Sequence, residues 1–134
     1  MPGIMADHDI EGQFQALLRI LKSPIWSDLW EPLGFAEEKF AELGLSENAP
    51  DVVVWETCQA RQIVLVTGNR NNDGPDSLEE TIRRLNQSDS LPVITISKPK
   101  HMVYRTYAER AAERLMDYLM YLDDHRGAGR LYIP

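Results

Sequence analysis

The chain has 134 residues, of which 43% are apolar and 26% charged, with a net charge of −7. That length suits one domain with one real core, and apolar clusters along the whole chain exclude a disordered protein. The acidic balance argues against a broad nucleic-acid-binding surface, which needs clustered Lys and Arg, yet leaves room for an acidic centre with a local basic rim.

Gly3-Ile4-Met5-Ala6 reads as a short buried strand that runs into Asp7-His8-Asp9. Ile10, Phe14, Leu17, Leu18 and Leu21 then repeat at helical spacing, with Asp9 as the expected N-cap and Pro24 as the stop. Residues 25–47 suggest two short helices, broken at Gly34 and Gly44. Trp26, Trp30 and Trp55 are expected to anchor a core rather than stack on a ligand. Pro50-Asp51 opens a further predicted helix, since Pro and Asp both suit a first helical turn.

Ile63-Val64-Leu65-Val66-Thr67 is the clearest strand, and its unbroken β-branched run predicts burial on both faces of a parallel sheet. A polar loop follows, from Gly68 to Pro75. Asp76-Ser77-Leu78-Glu79 has the form of a capping box for a helix reaching about Asn86. Pro92-Val93-Ile94-Thr95-Ile96 is another buried strand, with Ser97 to Lys100 as its exit loop. The longest helix carries Val103, Tyr107, Ala111, Leu115, Leu119 and Leu122 as its apolar stripe. Gly127 and Gly129 end it, and Leu131-Tyr132-Ile133 can add an edge strand. This alternation predicts an α/β fold, a three-layer α/β/α sandwich with a small, mostly parallel sheet and right-handed crossovers, and residues 1–134 read as a single domain.

Cys58 is the sole cysteine, so no disulfide can form within the chain. It reads as a small core hydrophobe. No stretch reaches the roughly 18 apolar residues of a membrane span, and no charged segment followed by an apolar one opens the chain. The expectation is a cytoplasmic protein with no membrane partner.

In an open parallel sheet, ligands bind beyond the carboxyl ends of the strands. Asp7-His8-Asp9, the Thr67–Asp76 segment and the Ser97–His101 segment should meet there. Asp7, Asp9, Asp51, Asp73 and Asp76 gather near these ends, and clustered carboxylates need solvent, a proton or a cation between them. Oxygen donors suit Mg²⁺ or Mn²⁺. Taken singly, Asp9, Asp51, Asp73 and Asp76 are better explained by capping and turn duties, whereas Asp7 has no such duty if Asp9 is the cap. The three histidines show no paired ligand spacing, and no P-loop, G-x-G-x-x-G or G-x-S-x-G motif occurs. Lys98, Lys100, His101 and Arg105 form a small basic patch at the same predicted edge.

Four features together resemble the PIN-like domain superfamily, especially its small bacterial members. They are the first strand ending in Asp7, the Ala49-Pro50-Asp51-Val52-Val53 helix start, the strand ending in Thr67 before a polar loop, and the Val-Ile-Thr-Ile strand ahead of a long helix. The resemblance implies a parallel α/β/α sandwich and a Mg²⁺- or Mn²⁺-dependent ribonuclease, often the toxin of a toxin–antitoxin pair. By position, Asp7 matches the first-strand acid and Asp51 the acid at the helix start. Asn69 stands where that family usually has Asp, and Asp73 or Asp76 follows some residues later.

The leading expectation is therefore hydrolysis of RNA by an ion held by Asp7, Asp51 and Asp73 or Asp76. Asn69 and Asn71 would orient water or a phosphate oxygen, and Lys98 and Arg105 would contact the substrate backbone. The alternative is a catalytically weakened PIN-like fold that serves as a protein-interaction module, as a homodimer or with a small partner. A nucleotide- or phosphate-binding module is a third option.

Overall fold

The computed structural model describes residues 2–68 and 77–134. Its strands are β1 (Gly3–Ala6), β2 (Ala36–Glu38), β3 (Ile63–Thr67), β4 (Val93–Ile96) and β5 (Arg130–Ile133). They form one sheet in the order β2-β1-β3-β4-β5, and every pairing is parallel. The helices are α1 (Glu11–Leu21), α2 (Ser27–Trp30), α3 (Asp51–Ala60), α4 (Leu78–Leu85) and α5 (Arg105–Met120).

The continuous apolar strands are explained by burial on both sides. β1, β3 and β4 are buried at every position, and period-two alternation divides their side chains between two cores. Ile4, Ala6, Val64, Val66, Ile94 and Ile96 face α1 and α5, where they meet Phe14, Leu17 and Leu115. Met5, Ile63, Leu65 and Val93 face α3 and α4, where they meet Trp55, Cys58 and Ile82. The small side chains of Ala108, Ala111 and Ala112 line the buried side of α5, facing that first core. The result is the expected α/β/α sandwich. Trp30 and Trp55 are buried and Trp26 packs against the first core, as core anchors should.

Three local expectations need correction. Residues 25–47 hold a single turn of α-helix, two 3-10 turns and the strand β2. Ala36-Glu37-Glu38 has no strand-like composition, but its backbone pairs with β1 at the sheet edge, where its partly polar side chains can reach water. Val103 does not belong to the apolar stripe. It ends a 3-10 turn, Pro99–Val103, and is 81% exposed, while Met102 takes the buried place. The cap of α4 is Ser77, whose hydroxyl accepts from the Glu80 N–H at 3.1 Å, so the N-cap is shifted by one residue, while the Glu80 carboxylate pairs with Arg83.

The crossovers also depart from a uniform hand. The steps β3 to β4 and β4 to β5 run in the same direction across the sheet, yet α4 lies on one face and α5 on the other. Three crossovers, through α1, α3 and α4, therefore share one hand, and the last has the opposite one. Among the described residues, no helix is long and apolar enough to cross a membrane.

Candidate functional site

The direction of winding reverses between β1 and β3. From β1 the chain steps outward to β2, then returns across β1 to β3. Helices leaving two such neighbours go to opposite faces, which opens a crevice at the carboxyl ends of the strands. Asp7 lies at that point. Its N–H donates to the Val66 carbonyl at 2.7 Å, which extends the β1–β3 pairing by one bond.

The Asp7 side chain is held from two sides. Oδ1 accepts the His8 N–H at 2.8 Å, and Oδ2 accepts the Thr67 hydroxyl at 2.8 Å. The expectation that Asp9 caps the first helix, leaving Asp7 without a capping duty, is incorrect. A 3-10 turn, His8–Ile10, precedes α1 and places the N-cap at Asp7. After these two bonds each carboxylate oxygen of Asp7 retains acceptor capacity.

Asp9 lies within that turn, at the surface. Partial withdrawal from water, followed by the Asp7 carboxylate, raises its pKa above the usual aspartate value, and Asp51 adds to the effect. Its own backbone N–H and His8 oppose the rise. Asp7, Asp9 and Asp51 thus share one electrostatic neighbourhood. Asp51 occupies the first turn of α3, where the helix dipole favours a carboxylate. His8 helps to tie this region together, with Nδ1 at 3.3 Å from Glu11 and Nε2 at 3.6 Å from Glu47, in the loop ahead of α3. On the opposite side of the sheet from α1, burial first and the Asp7 charge second push the Cys58 thiol up to about 12.

Asp73, Asp76, Asn69 and Asn71 lie outside the described residues. Among the described residues, no group of three His, Cys, Asp or Glu side chains is arranged to hold a metal ion. The carboxylates that act on one another electrostatically, Asp7, Asp9 and Asp51, offer oxygen donors alone, the chemistry that Mg²⁺ and Mn²⁺ prefer.

The basic segment adjoins the acids. A Cβ on Gly68 would lie 2.9 Å from Ile10 Cγ2 and 3.0 Å from Pro99 Cγ, so the bare glycine lets the turn after β1 and the exit of β4 close on the end of β3. Lys98 opens the 3-10 turn after β4, and Arg105 opens α5. Tyr107 fixes this ledge, since its hydroxyl accepts the Lys98 N–H and donates to the Pro134 carbonyl, each at 2.9 Å.

The sequence groups Asp9 with the acids near the strand ends but also offers it as a cap, a duty that Asp7 takes instead. It gives Thr67 no role in the site, although a hydroxyl at that position can reach the neighbouring strand's terminal acid. Compared with known proteins, the chain matches no family model, no curated protein and no solved structure.

Proposed function

We propose that this chain is a divalent-cation-dependent phosphodiesterase acting on RNA, of the kind its PIN-like motifs imply, and that it works in the cytoplasm. The observation that carries this reading is the Asp7 carboxylate held by Thr67 at the carboxyl end of β1, beside β3, with Asp9 within electrostatic reach of both Asp7 and Asp51. Such a group is relieved by a cation, and its oxygen donors suit Mg²⁺ or Mn²⁺. Asp7 and Asp51, with Asp73 or Asp76, are the residues that would hold the ion. A bound ion of this kind polarises a phosphoryl oxygen and lowers the pKa of water.

The chain's own residues supply orientation. Thr67 fixes one face of the Asp7 carboxylate. Asp9, with its raised pKa, keeps a proton more readily than an ordinary aspartate. Lys98 and Arg105 offer charge to the substrate backbone, and Asn69 and Asn71 offer neutral polar groups to water or phosphate. The test is incubation of purified protein with RNA in Mn²⁺ or EDTA. Cleavage is expected in Mn²⁺ and lost in EDTA or on Asp7→Asn, and cleavage indifferent to both sinks the reading.

A second reading, a catalytically weakened fold used for protein association, draws on Asn69 and on apolar surface at Ile25, Leu29, Tyr121 and Tyr132. Sedimentation over a concentration series tests it. A monomer at every concentration counts against the homodimer.

A further inference from the structure

Beside the Asp7 turn, between α1 and the carboxyl end of β2, lies a small pocket of about 220 Å³. Sites for drug-sized ligands begin at roughly 300 Å³, so this one suits a single ring system. Its apolar lining is Ala6, Phe14 and Phe40, and Ala6 directly precedes Asp7. Its polar wall includes Gln15, Glu37 and Lys39. Glu11 also lines it and meets His8 at 3.3 Å, so the pocket and the acidic turn share a wall.

Glu37 is the fixed element of that wall. Nε2 of Gln15 donates to its Oε2 at 2.7 Å, and Nζ of Lys39 lies 3.9 Å from the same oxygen. Lys39 continues the extended backbone of β2, so it emerges on the same side as Glu37. The Gln15 bond leaves Oε1 whole and Oε2 with acceptor capacity to spare. The wall therefore sets a cationic donor beside a two-oxygen acceptor that is already held in place.

We propose that this pocket takes a guanine base of the RNA, so that cleavage falls beside guanine. The proposal rests on the phosphodiesterase reading and adds base specificity. An unpaired base is read through its Watson–Crick edge. Guanine presents there, in a row, the O6 acceptor, the N1–H donor and the N2 amino donor. Lys39 matches O6, and the Glu37 carboxylate matches the two donors. Adenine and cytosine turn an amino group toward Lys39 and a ring acceptor toward Glu37, and uracil has one donor between two carbonyls. An arginine side chain from a protein has no acceptor for Lys39 and meets it as a like charge. Glu11 and Glu38, which also line the pocket, repel a free phosphate, so the base enters and the backbone stays outside.

The test is a titration with guanosine monophosphate in EDTA, followed by NMR through the side-chain amide of Gln15, so that binding is read without cleavage. Wild type should show a saturable shift. The adenosine, cytidine and uridine monophosphates, which carry the same phosphate, should bind at least about tenfold more weakly. Inosine monophosphate, which lacks the N2 amino group, should also lose about tenfold. Glu37→Gln should abolish the preference for guanine, and Lys39→Met, at an exposed position, should weaken guanosine monophosphate about tenfold. Unfolding midpoints equal to wild type confirm that each variant is folded. Equal binding of the four nucleotides by wild type overturns the proposal, as does undiminished binding of guanosine monophosphate by both variants. Tighter binding of N-acetyl-arginine amide than of guanosine monophosphate also overturns it, and marks the pocket as a seat for a protein side chain. In Mn²⁺, cleavage of a mixed-sequence RNA should fall beside guanine, and Glu37→Gln should spread it to other bases. Preferential binding of guanosine monophosphate without any cleavage by wild type overturns the enzymatic reading alone. Cleavage indifferent to base, with no preference among the nucleotides, overturns the pocket alone.

Discussion

The hydroxyl of Thr67 donates to Oδ2 of Asp7 at 2.8 Å, joining residues 60 positions apart across the β1–β3 pair. Thr67 is fully buried, so its hydroxyl has no water to turn to. Thr67→Val keeps the shape and removes the donor. A hydrogen bond to a charged group contributes about 1.5–3 kcal/mol. Thr67→Val should lower stability by about that amount in urea denaturation, and Thr67→Ser should recover most of it. Equal midpoints for Val and wild type would refute the role.

Asp9 gives a pH dependence of definite sign. Its folded pKa lies above the ordinary value of 3.8, so the folded state binds that proton more tightly than the unfolded one. The ionised group therefore opposes folding at neutral pH, and the penalty fades as pH falls through the folded pKa toward 3.8. Asp9→Asn should raise the urea midpoint at pH 7, with the gain lost as pH falls toward 3.8. A lower midpoint for Asn at pH 7 would contradict the electrostatic account.

Cys58 is 1% exposed, and its thiol is pushed up to about 12. The thiolate is the reactive form. In native protein at pH 8, a thiol-specific disulfide reagent should label it only as fast as the molecule opens, and in urea it should label at once. Rapid native labelling would place the sulfur elsewhere.

Gly12 lies in the first turn of α1 with free space around it. Alanine there loses less backbone entropy on folding and meets no clash. Gly12→Ala should stabilise the protein by about 0.4–1 kcal/mol, read from chemical denaturation. A destabilised variant would mean that the glycine serves the fold after all.

The strands, the long helices and their layering were legible because buried apolar periodicity is strong at β1, β3, β4, α1 and α5. β2 was not, because Ala36-Glu37-Glu38 owes its conformation to backbone pairing at an edge, which leaves no side-chain pattern. The candidate site was legible in part. Asp7 and Asp51 could be read from their places at a strand end and a helix start. The capping duty of Asp7 was hidden because a 3-10 turn, which moves the cap two residues toward the N-terminus, looks in sequence like the first turn of the α-helix that follows it. Val103 misled for the opposite reason, since its spacing suits a helix that in fact starts two residues later.

The final crossover, of opposite hand to the other three, delivers α5 onto the face where α1 already lies. Phe14, Leu17 and Leu18 are covered there by Ala111, Leu115 and their neighbours, about a hundred positions later in the chain. Contacts of such sequence separation form late and slow the search for the native state. During synthesis, the apolar stripe of α1 must wait for nearly the whole of the sheet and α5 to emerge, and a chaperone that binds amphipathic helices has that interval in which to hold it. The first helix to be made is therefore among the last parts of the molecule to be settled.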